Sequence, residues 1–390
     1  MKKITIPYGK QYINNQDIKS VSRSLRDEFI TTGSSVKNFE TDIRKKVRSK
    51  YAYTCINGTA GLHLAYLSID LKKNDVVIMP AINFVSAYRI AQLLGAKIYL
   101  ADVDPFSGQM TPQTVLDCIK KNKLKKIKVI LTMYLGGYVL DNLEFFKIKK
   151  KYRSYLIEDA CHAFGSKYKF NNKYNYIGSC MHSDLCIFSF HPIKPITTGE
   201  GGAITTNSKS LADKIKLLRS HGIVRKKNYW DYDISTLGFN YRLSDINCAL
   251  GISQLKKLQN FYLKRKKIFQ LYKKSFSRKI SDYAKILDIS KNINSFHLIL
   301  LSINFVKLKC SKNEIFKFLN KRNIFPQFHY KPIYEFSFYK KEKKIKFPGA
   351  GTYYNSSISL PVYYSLTKKS QNYVIKNIIN FININKKKSQ

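Results

Sequence analysis

The chain has 390 residues, of which 44% are hydrophobic and 24% are charged, and its net charge at pH 7 is +44. This length exceeds what one hydrophobic core usually supports, so we expect one large domain and one smaller domain. The positive charge suggests a nucleic-acid or anionic-membrane partner, but the lysines are spread through nearly every segment. Dispersed lysines are typical of a solvated surface, and we therefore expect neither partner.

The seven cysteines and the N-terminal segment exclude several other classes of protein. The cysteines form no CxxC pair and no regular spacing, which argues against a zinc site and against a disulfide framework. The N-terminal residues lack the apolar segment of a signal peptide, and no stretch approaches the roughly 18 apolar residues of a membrane span. We therefore expect a cytoplasmic protein without a metal site.

Between residues 50 and 206, short β-rich runs alternate with helical patterns. This alternation predicts an α/β fold with a mostly parallel sheet of about seven strands. The predicted strands are AYTCI, DVVIM, KIYLA, VILTMY, YLIED, LCIFSF and GAITT. Helices are predicted between them, for instance from Thr59 to Ile69 and from Pro112 to Lys121, where Thr111 is a candidate N-cap.

After the predicted sheet, the alternation of short β-rich runs and helical patterns ends. Long, lysine-rich helices run from Leu243 to about Tyr272, followed by a smaller α/β unit that contains SFHLILLSINF and a final helix from about Lys368. We therefore predict an N-terminal arm and large cofactor-binding domain over residues 1–255 and a smaller C-terminal domain over residues 256–390.

The loop between the predicted strands LCIFSF and GAITT carries one lysine, Lys194, between Pro192 and Pro195. The two prolines restrict the backbone on both sides and fix where the lysine side chain points. A lysine that forms a Schiff base must be held beside its aldehyde partner and must lose its proton readily, which partial burial favours. Most lysines of this chain are expected to be solvated, and only this context distinguishes Lys194.

The predicted strand YLIED ends in Asp159. Residues at the carboxyl ends of parallel strands face the crevice in which ligands bind in open α/β sheets. A carboxylate there can pair with a pyridinium nitrogen and keep it protonated. The alternative is a carboxylate that caps a following helical turn. His162, three residues later, is a candidate hydrogen-bond partner for the cofactor's phenolic oxygen, although a lone histidine is more often structural.

The segment NGTAGLHLAYLSI predicts a tight turn followed by a helix start. Backbone amides at a helix start bind phosphate, so Gly58, Thr59 and Ala60 are candidate phosphate ligands. Ser189, on the strand that leads to Lys194, can add a hydroxyl. An ordinary strand-to-helix turn is the alternative. Phe84, after strand DVVIM, is a candidate for stacking on the cofactor ring, although most aromatic residues at such positions are core.

Together these segments resemble the nucleotide-sugar aminotransferases, a branch of the fold type I pyridoxal-phosphate (PLP) enzymes. The similarity covers nearly the whole chain, through IPYGKQYI, FITTGSSVKNFE, NGTAGLHLA, ADVDPFSG, EDACHAFGS, FSFHPIKPITTGEGGAITT, LLRSHGI and LGFNYRLSDINCALGISQLKKL. The resemblance implies PLP as the cofactor, Lys194 as the Schiff-base lysine, Asp159 as the pyridinium partner and Ser189 as a phosphate ligand.

The resemblance also implies a homodimer with shared active sites. Asn240, in LGFNYRLSD, matches an asparagine that reaches the phosphate from the neighbouring subunit of family members. Segments that line the sugar-nucleotide site in the family correspond here to Tyr8, to Glu28, Phe29, Ile30 and Thr31, and to His329, Tyr330, Lys331 and Pro332.

Three further runs, HPIKPITTGEGG, QFHYKPIYEFSFY and SISLP, resemble the family members that act in pseudaminic acid biosynthesis. The function implied is transfer of an amino group, with L-glutamate as the expected donor, to a UDP-linked 4-keto-6-deoxy-N-acetylhexosamine. The alternatives are a different nucleotide-linked keto-sugar and, more distantly, a basic nucleic-acid-binding protein. Gly58, Gly61 and the run MYLGGYVLDN depart from the commonest family pattern, and we expect none of them to touch the chemistry.

Overall fold

A computed structural model of the chain describes residues 5–140, 142–228, 230–289, 291–339 and 346–389. The strands are β1 (Ile6–Pro7), β2 (Tyr51–Cys55), β3 (Val76–Pro80), β4 (Lys97–Ala101), β5 (Val129–Met133), β6 (Tyr155–Asp159), β7 (Lys167–Phe170), β8 (Lys173–Tyr176), β9 (Leu185–Ser189), β10 (Gly202–Thr206), β11 (Ile223–Arg225), β12 (Tyr232–Ile234), β13 (Ala284–Ile286), β14 (Ile299–Ile303), β15 (Ile324–Phe325) and β16 (Ser357–Leu360).

The α-helices are α1 (Asn15–Ser24), α2 (Ser34–Val47), α3 (Gly58–Ser68), α4 (Ser86–Leu93), α5 (Pro112–Lys121), α6 (Asn142–Tyr152), α7 (Lys209–Leu218), α8 (Asp245–Lys256), α9 (Leu258–Lys279), α10 (Lys312–Asn320), α11 (Pro348–Ser356) and α12 (Lys368–Ser389). Within the ranges that the structure describes, none of these helices has both the length and the apolar character needed to cross a membrane.

A seven-stranded sheet in the order β2-β10-β9-β6-β5-β3-β4 forms the centre of the molecule. Strand β10 runs antiparallel to both of its neighbours, and the remaining pairs are parallel. Strands β5 and β9 are buried along their whole length, as their continuous apolar sequences VILTM and LCIFS require in a sheet covered on both faces. The predicted α/β class, the mostly parallel sheet and its seven strands are confirmed.

The helix starts follow capping rules. Thr111 caps α5 and exchanges hydrogen bonds with Thr114, while Pro112 occupies the first helical position. Thr367 accepts a hydrogen bond from the amide of Ser370 at 3.1 Å at the start of α12. Helix α3 is apolar on nearly every side and packs against β9 and β10, so its first turn is held at the edge of the sheet where β9 ends.

The C-terminal part contains a three-stranded antiparallel sheet in the order β13-β14-β16. The N-terminal arm reaches this part of the chain, because β1 pairs in parallel with β15, with Ile6 opposite Ile324. The sequence did not predict this pairing. A domain boundary near residue 255 stays a prediction.

All seven cysteines are free thiols, and five of them are buried. Among the described residues, no cluster of histidine, cysteine and carboxylate side chains is arranged to hold a metal ion.

The packing of α8 against α2 yields a stability prediction. A Cβ atom at Gly251 would lie 2.5 Å from the ring of Phe39, which is completely buried. We expect Gly251→Ala to lower the free energy of unfolding by about 1–3 kcal/mol, because overpacking forces the core to shift. Denaturant unfolding monitored by circular dichroism measures this change.

The matched control is Gly351→Ala in α11. No described atom lies within 4 Å of a Cβ built at Gly351. Because alanine favours helix over glycine, this variant is expected to be neutral or more stable by up to about 1 kcal/mol. Equal destabilisation by the two substitutions would contradict the close α2–α8 packing.

Candidate active site

A cavity of about 480 Å³ opens at the edge of the sheet where β6 and β9 end. It brings together many of the residues that the sequence predicted for a cofactor or substrate site. Those that line it are Tyr8, Gly58, Thr59, Phe84, Asp159, His162, Ser189, Lys194, His329 and Tyr330. They come from segments spread over most of the chain, so the cavity is the candidate active site.

One end of the cavity is formed by the start of α3. The Asn57 side chain caps this helix by accepting a hydrogen bond from the Ala60 amide at 2.8 Å. The Ala60 amide is therefore paired with Asn57, and its role as a phosphate ligand stays a prediction. The amides of Gly58 and Thr59 remain at the helix start, where a phosphate group binds favourably. The hydroxyl of Ser189 lies on the same wall.

This end of the cavity has no room for additional side-chain atoms. A Cβ at Gly58 would lie 3.1 Å from Sγ of Cys161 and 3.2 Å from Cβ of Ser189. A Cβ at Gly202 would lie 2.7 Å from the carbonyl oxygen of Asn57. Glycine at these two positions lets β10 and the start of α3 approach each other closely.

Asp159 ends β6 and is only 3% exposed. One carboxylate oxygen accepts a hydrogen bond from the Cys161 amide at 3.2 Å. Burial raises the pKa of Asp159, whereas the hydrogen bonds from Cys161 and the charge of Lys194 act in the opposite direction. The chain after Asp159 forms turns instead of a helix, so the helix-capping alternative has no helix to cap.

Glu158, the acidic residue next to Asp159 in β6, is not part of the site. Successive side chains of a strand point to opposite faces of the sheet. The Glu158 carboxylate accepts hydrogen bonds from the Tyr134 hydroxyl at 2.6 Å and from the Asn142 amide at 3.0 Å. It is therefore used inside the core on the far side of β6.

Lys194 lies in the loop between β9 and β10 and lines the cavity. Its amide donates to the carbonyl of His191 at 2.9 Å, and the following Pro195 is buried, so the loop is fixed on both sides of the lysine. Burial lowers the pKa of the Lys194 amine, an effect that Cys161 and Asp159 partly offset. The neutral amine is therefore available at lower pH than in a solvated lysine.

Both ring nitrogens of His162 are engaged. Its Nδ1 accepts a hydrogen bond from the Gly136 amide at 3.2 Å, so the proton is on Nε2, which lies 2.9 Å from the Tyr330 hydroxyl. Burial holds the pKa of His162 well below its usual range. Nε2 of His162 is therefore paired with Tyr330, and the expected hydrogen bond between His162 and a cofactor oxygen stays a prediction. Gly136, in the unusual run MYLGGYVLDN, thus contacts a site residue through its backbone amide.

Aromatic rings form the rim of the cavity. The Phe84 ring lies 5.7 Å from that of Tyr330 and is half exposed, and the Tyr8 ring lies 5.3 Å from that of His329. Nδ1 of His329 lies 2.8 Å from the Ser359 hydroxyl, and burial lowers the pKa of His329 to about 3. The rim thus presents neutral, flat surfaces suited to a ring-containing ligand.

The remaining predicted residues do not line this cavity. Glu28, Phe29, Ile30 and Thr31 are exposed, and the Ile30 carbonyl accepts a hydrogen bond from the Asp245 amide at 3.0 Å. Asn240 is also exposed and forms a β-bridge with Ser220. Lys331 and Pro332 follow the lining residue Tyr330 without reaching the cavity.

Several lining residues were not predicted from the sequence. They are Asn57, Ser86, Met133, Cys161, His191, Ile193, Glu200 and His297. Most of them lie within a few residues of a predicted site residue, and Asn57 could have been identified as a helix cap in NGTAG. His297 could not, because the run SFHLILL around it carries only the pattern of a buried strand.

The cavity fits the PLP cofactor that the sequence predicts. PLP requires an amine for its aldehyde, a carboxylate for its pyridine nitrogen and hydrogen-bond donors for its phosphate. Lys194, Asp159 and the Gly58–Thr59 helix start supply these three groups around one cavity.

Comparisons with known proteins give a consistent result. Residues 11–379 match the model of the DegT/DnrJ/EryC1/StrS aminotransferase family. The chain is 40% identical over 371 residues, 95% of both chains, to UDP-4-amino-4,6-dideoxy-N-acetyl-beta-L-altrosamine transaminase of Campylobacter jejuni subsp. jejuni serotype O:23/36 (strain 81-176). It is 28% identical to GDP-perosamine synthase of Escherichia coli O157:H7, over 96% of this chain and 98% of the synthase.

Among solved structures, the chain resembles Helicobacter pylori PseC, an aminotransferase involved in the biosynthesis of pseudoaminic acid. The TM-score is 0.88 at 28% sequence identity, and the match covers 97% of this chain and 100% of PseC.

The lowered pKa of Lys194 predicts selective labelling. After incubation of the apo protein with PLP, borohydride reduction should attach one cofactor per chain, and peptide mapping should locate it at Lys194. Because neutral amine is the reactive form, the pH midpoint of the labelling rate should fall below about 10.4, the ordinary lysine value.

Lys312 provides the control. Burial lowers its pKa to about 8, but it lies between the rings of Phe328 and Tyr354, outside the cavity. Lys194→Ala should lose the stoichiometric label, and Lys312→Gln should keep it. Labelling distributed over many lysines would contradict the assignment of the cavity.

Proposed function

Because the chain belongs to the DegT/DnrJ/EryC1/StrS aminotransferase family, we propose that it transfers an amino group to a UDP-linked 4-keto-6-deoxy-N-acetylhexosamine in pseudaminic acid biosynthesis. The observation that carries this proposal is the similarity to the Campylobacter jejuni transaminase, which extends over nearly the full length of both chains. PseC, similar in fold and sequence, is involved in the same biosynthesis.

The cofactor of this aminotransferase is PLP. Lys194 would hold its aldehyde carbon and Asp159 its pyridine nitrogen, while Gly58, Thr59 and Ser189 would hold its phosphate. When bound, PLP withdraws electrons from the carbon that exchanges its proton. The ionised Asp159 supports this effect by keeping the pyridine nitrogen protonated.

Lys194 carries the proton in both half-reactions. In the first, its neutral amine removes the proton from the α-carbon of the amino donor, the amino group stays in the site, and water supplies the oxygen of the keto acid that leaves. In the second, Lys194 delivers a proton to C4 of the sugar, the retained amino group takes the place of the keto oxygen, and that oxygen leaves as water. Burial lowers the pKa of Lys194, which makes its neutral amine available at lower pH than in a solvated lysine, and the same nitrogen then acts first as base and afterwards as acid. The side from which it approaches C4 sets the configuration of the product.

The substrate is held between the rings at the mouth of the cavity. Tyr8, His329 and Tyr330 line the cavity, and Phe84, which also lines it, is half exposed. Flat aromatic faces exclude water and bind sugar and base rings through their apolar faces. L-Glutamate is the proposed amino donor, and this part of the proposal rests on the family resemblance.

The active site is proposed to be completed by a second copy of the chain. Asn240 lies beyond β12 on a surface with large exposed apolar side chains, including Ile234 at 59% and Leu237 at 80% exposure. Phe29, in the predicted substrate segment, is also 59% exposed. Such apolar exposure is typical of a subunit interface. In a twofold dimer each Asn240 would serve the phosphate site of its partner, and two sites would form together.

The decisive experiment is an assay of the purified protein with the UDP-linked 4-keto-6-deoxy-N-acetylhexosamine and L-glutamate, with the product identified by NMR. We expect a 4-amino sugar. Lys194→Ala should give no turnover, and Asp159→Asn should bind PLP but lose most activity, because an amide does not hold the pyridinium proton as a carboxylate does. Turnover only with a GDP-linked or other keto-sugar would contradict the substrate assignment.

A subunit-mixing experiment tests the shared site. Lys194→Ala and Asn240→Asp chains are each expected to form inactive or weakly active dimers, since loss of a hydrogen bond to a charged phosphate costs about 10–100-fold. In the mixed dimer, one site combines the intact Lys194 of one chain with the intact Asn240 of the other. When the two variants exchange subunits at random and in equal amounts, about half of the dimers are mixed, and each mixed dimer has one working site out of two. The mixture should therefore show about one quarter of wild-type activity.

The control is each variant mixed with itself under the same exchange conditions, with exchange verified by native mass spectrometry. If confirmed mixed dimers show no recovered activity, Asn240 does not complete the partner's site.

A further inference from the structure

His297 is a buried imidazole without a hydrogen-bond partner in the cavity wall. It is 3% exposed, and neither of its ring nitrogens has a partner among the described residues. A buried polar group left unpaired is unfavourable, and native proteins rarely tolerate one without a bound water or ligand. Because His297 lines the candidate active site, the occupant of that site is available as its partner.

A shared backbone network places His297 beside His162. The Leu298 amide donates to the Gly136 carbonyl at 3.2 Å, and the Gly136 amide donates to Nδ1 of His162 at 3.2 Å. The Ser295 hydroxyl donates to the His162 carbonyl at 2.6 Å. The two imidazole rings are consequently held with their centroids 4.3 Å apart.

The backbone at His297 is fixed from the opposite side as well. Nη1 of Arg265, itself 5% exposed, donates to the carbonyls of Phe296, His297 and Val362 at 3.4, 3.2 and 3.2 Å. Phe296 adopts a left-handed conformation with φ of +52°, which persists only where the surroundings impose it. The His297 backbone therefore has little freedom to move its ring toward another partner.

The groups close enough to act electrostatically on His297 are His162, Lys194, Arg265 and His329. Burial and these cationic or neutral neighbours hold the pKa of His297 well below its usual range. A neutral imidazole offers one N–H donor and one nitrogen acceptor. Both nitrogens of His162 are engaged, whereas both nitrogens of the neighbouring His297 are left for an occupant of the cavity.

We propose that the His297 imidazole donates a hydrogen bond, directly or through one water, to an oxygen atom of the molecule bound in the cavity. This inference rests on the proposed function, because that function identifies the occupants. The oxygen belongs either to PLP or to a substrate, and the chemistry of recognition is the same in both cases. His297 is then a ligand-contacting residue supplied by the segment that leads into β14.

Two substitutions test the proposal. His297→Leu removes the donor, whereas His297→Gln keeps one. His182→Leu is the matched control, because His182 is also buried but pairs with the Tyr168 hydroxyl outside the cavity. Each protein is reconstituted with PLP, and the visible absorbance of the lysine-linked cofactor is titrated with pH without substrate. Single-turnover reactions then follow the amino donor and the keto-sugar separately.

The two sources of the oxygen give different results. If it belongs to PLP, His297→Leu should shift the absorbance midpoint by about one pH unit and weaken PLP binding about tenfold. If it belongs to a substrate, the titration should stay unchanged and the KM for that substrate should rise about tenfold. In both cases His297→Gln should recover part of the loss. Wild-type behaviour of His297→Leu in every measurement would overturn the proposal.

A crystal structure of the wild-type holoenzyme decides the matter even if His297→Leu fails to fold. An atom of PLP or substrate, or one bridging water, within about 3.2 Å of a His297 nitrogen supports the proposal. If neither nitrogen of His297 has such a contact, the proposal is overturned. A different result is that the wild-type protein fails to aminate the UDP-linked keto-sugar while His297→Leu still shifts the titration. That result would refute the substrate assignment and leave the role of His297 intact.

Discussion

The position of the active site depends on how β10 fits between β2 and β9. Its register places Gly202 opposite both Cys55 and Ser189, so the end of β9, the start of β10 and the start of α3 meet at one point. The absence of a side chain at Gly202 and Gly58 permits this contact. The loop that carries Lys194 must begin and end here, which brings the lysine to the phosphate-binding turn and to Asp159 on the parallel strand β6.

The parts of this arrangement encoded locally could be predicted from the sequence. Each strand of the central sheet is a short apolar run bounded by turn residues. Because a sheet covered on both faces buries both sides of its strands, such a run is recognisable as a strand in the sequence. Lys194 and Asp159 could be identified for the same reason, since the end of a buried parallel strand is where an α/β fold places its ligands. The capping of α5 by Thr111 was equally local.

What could not be predicted depends on contacts between distant segments. The hydrogen bond between His162 and Tyr330 joins residues 168 positions apart, and no local pattern encodes it. The placement of His297 depends on Gly136 and Arg265, which also lie far away in the chain. The pairing of β1 with β15 involves only two residues on each side, too few to give a periodic signal. The role expected for Asn240 concerns a second subunit, and a single sequence contains no measure of that geometry.

The pairing of β1 with β15 also bears on the synthesis of the protein. Tyr8 follows β1, and its carbonyl accepts a hydrogen bond from the Val362 amide at 2.9 Å, so the segment around β1 is held by residues that are translated much later. A nascent chain therefore contains Lys194 and Asp159 long before it contains the wall formed by His329 and Tyr330. Until that wall is made, the sheet edge is open to water on one side. The cavity is accordingly closed on that side only after the segments around β15 and Val362 have been added.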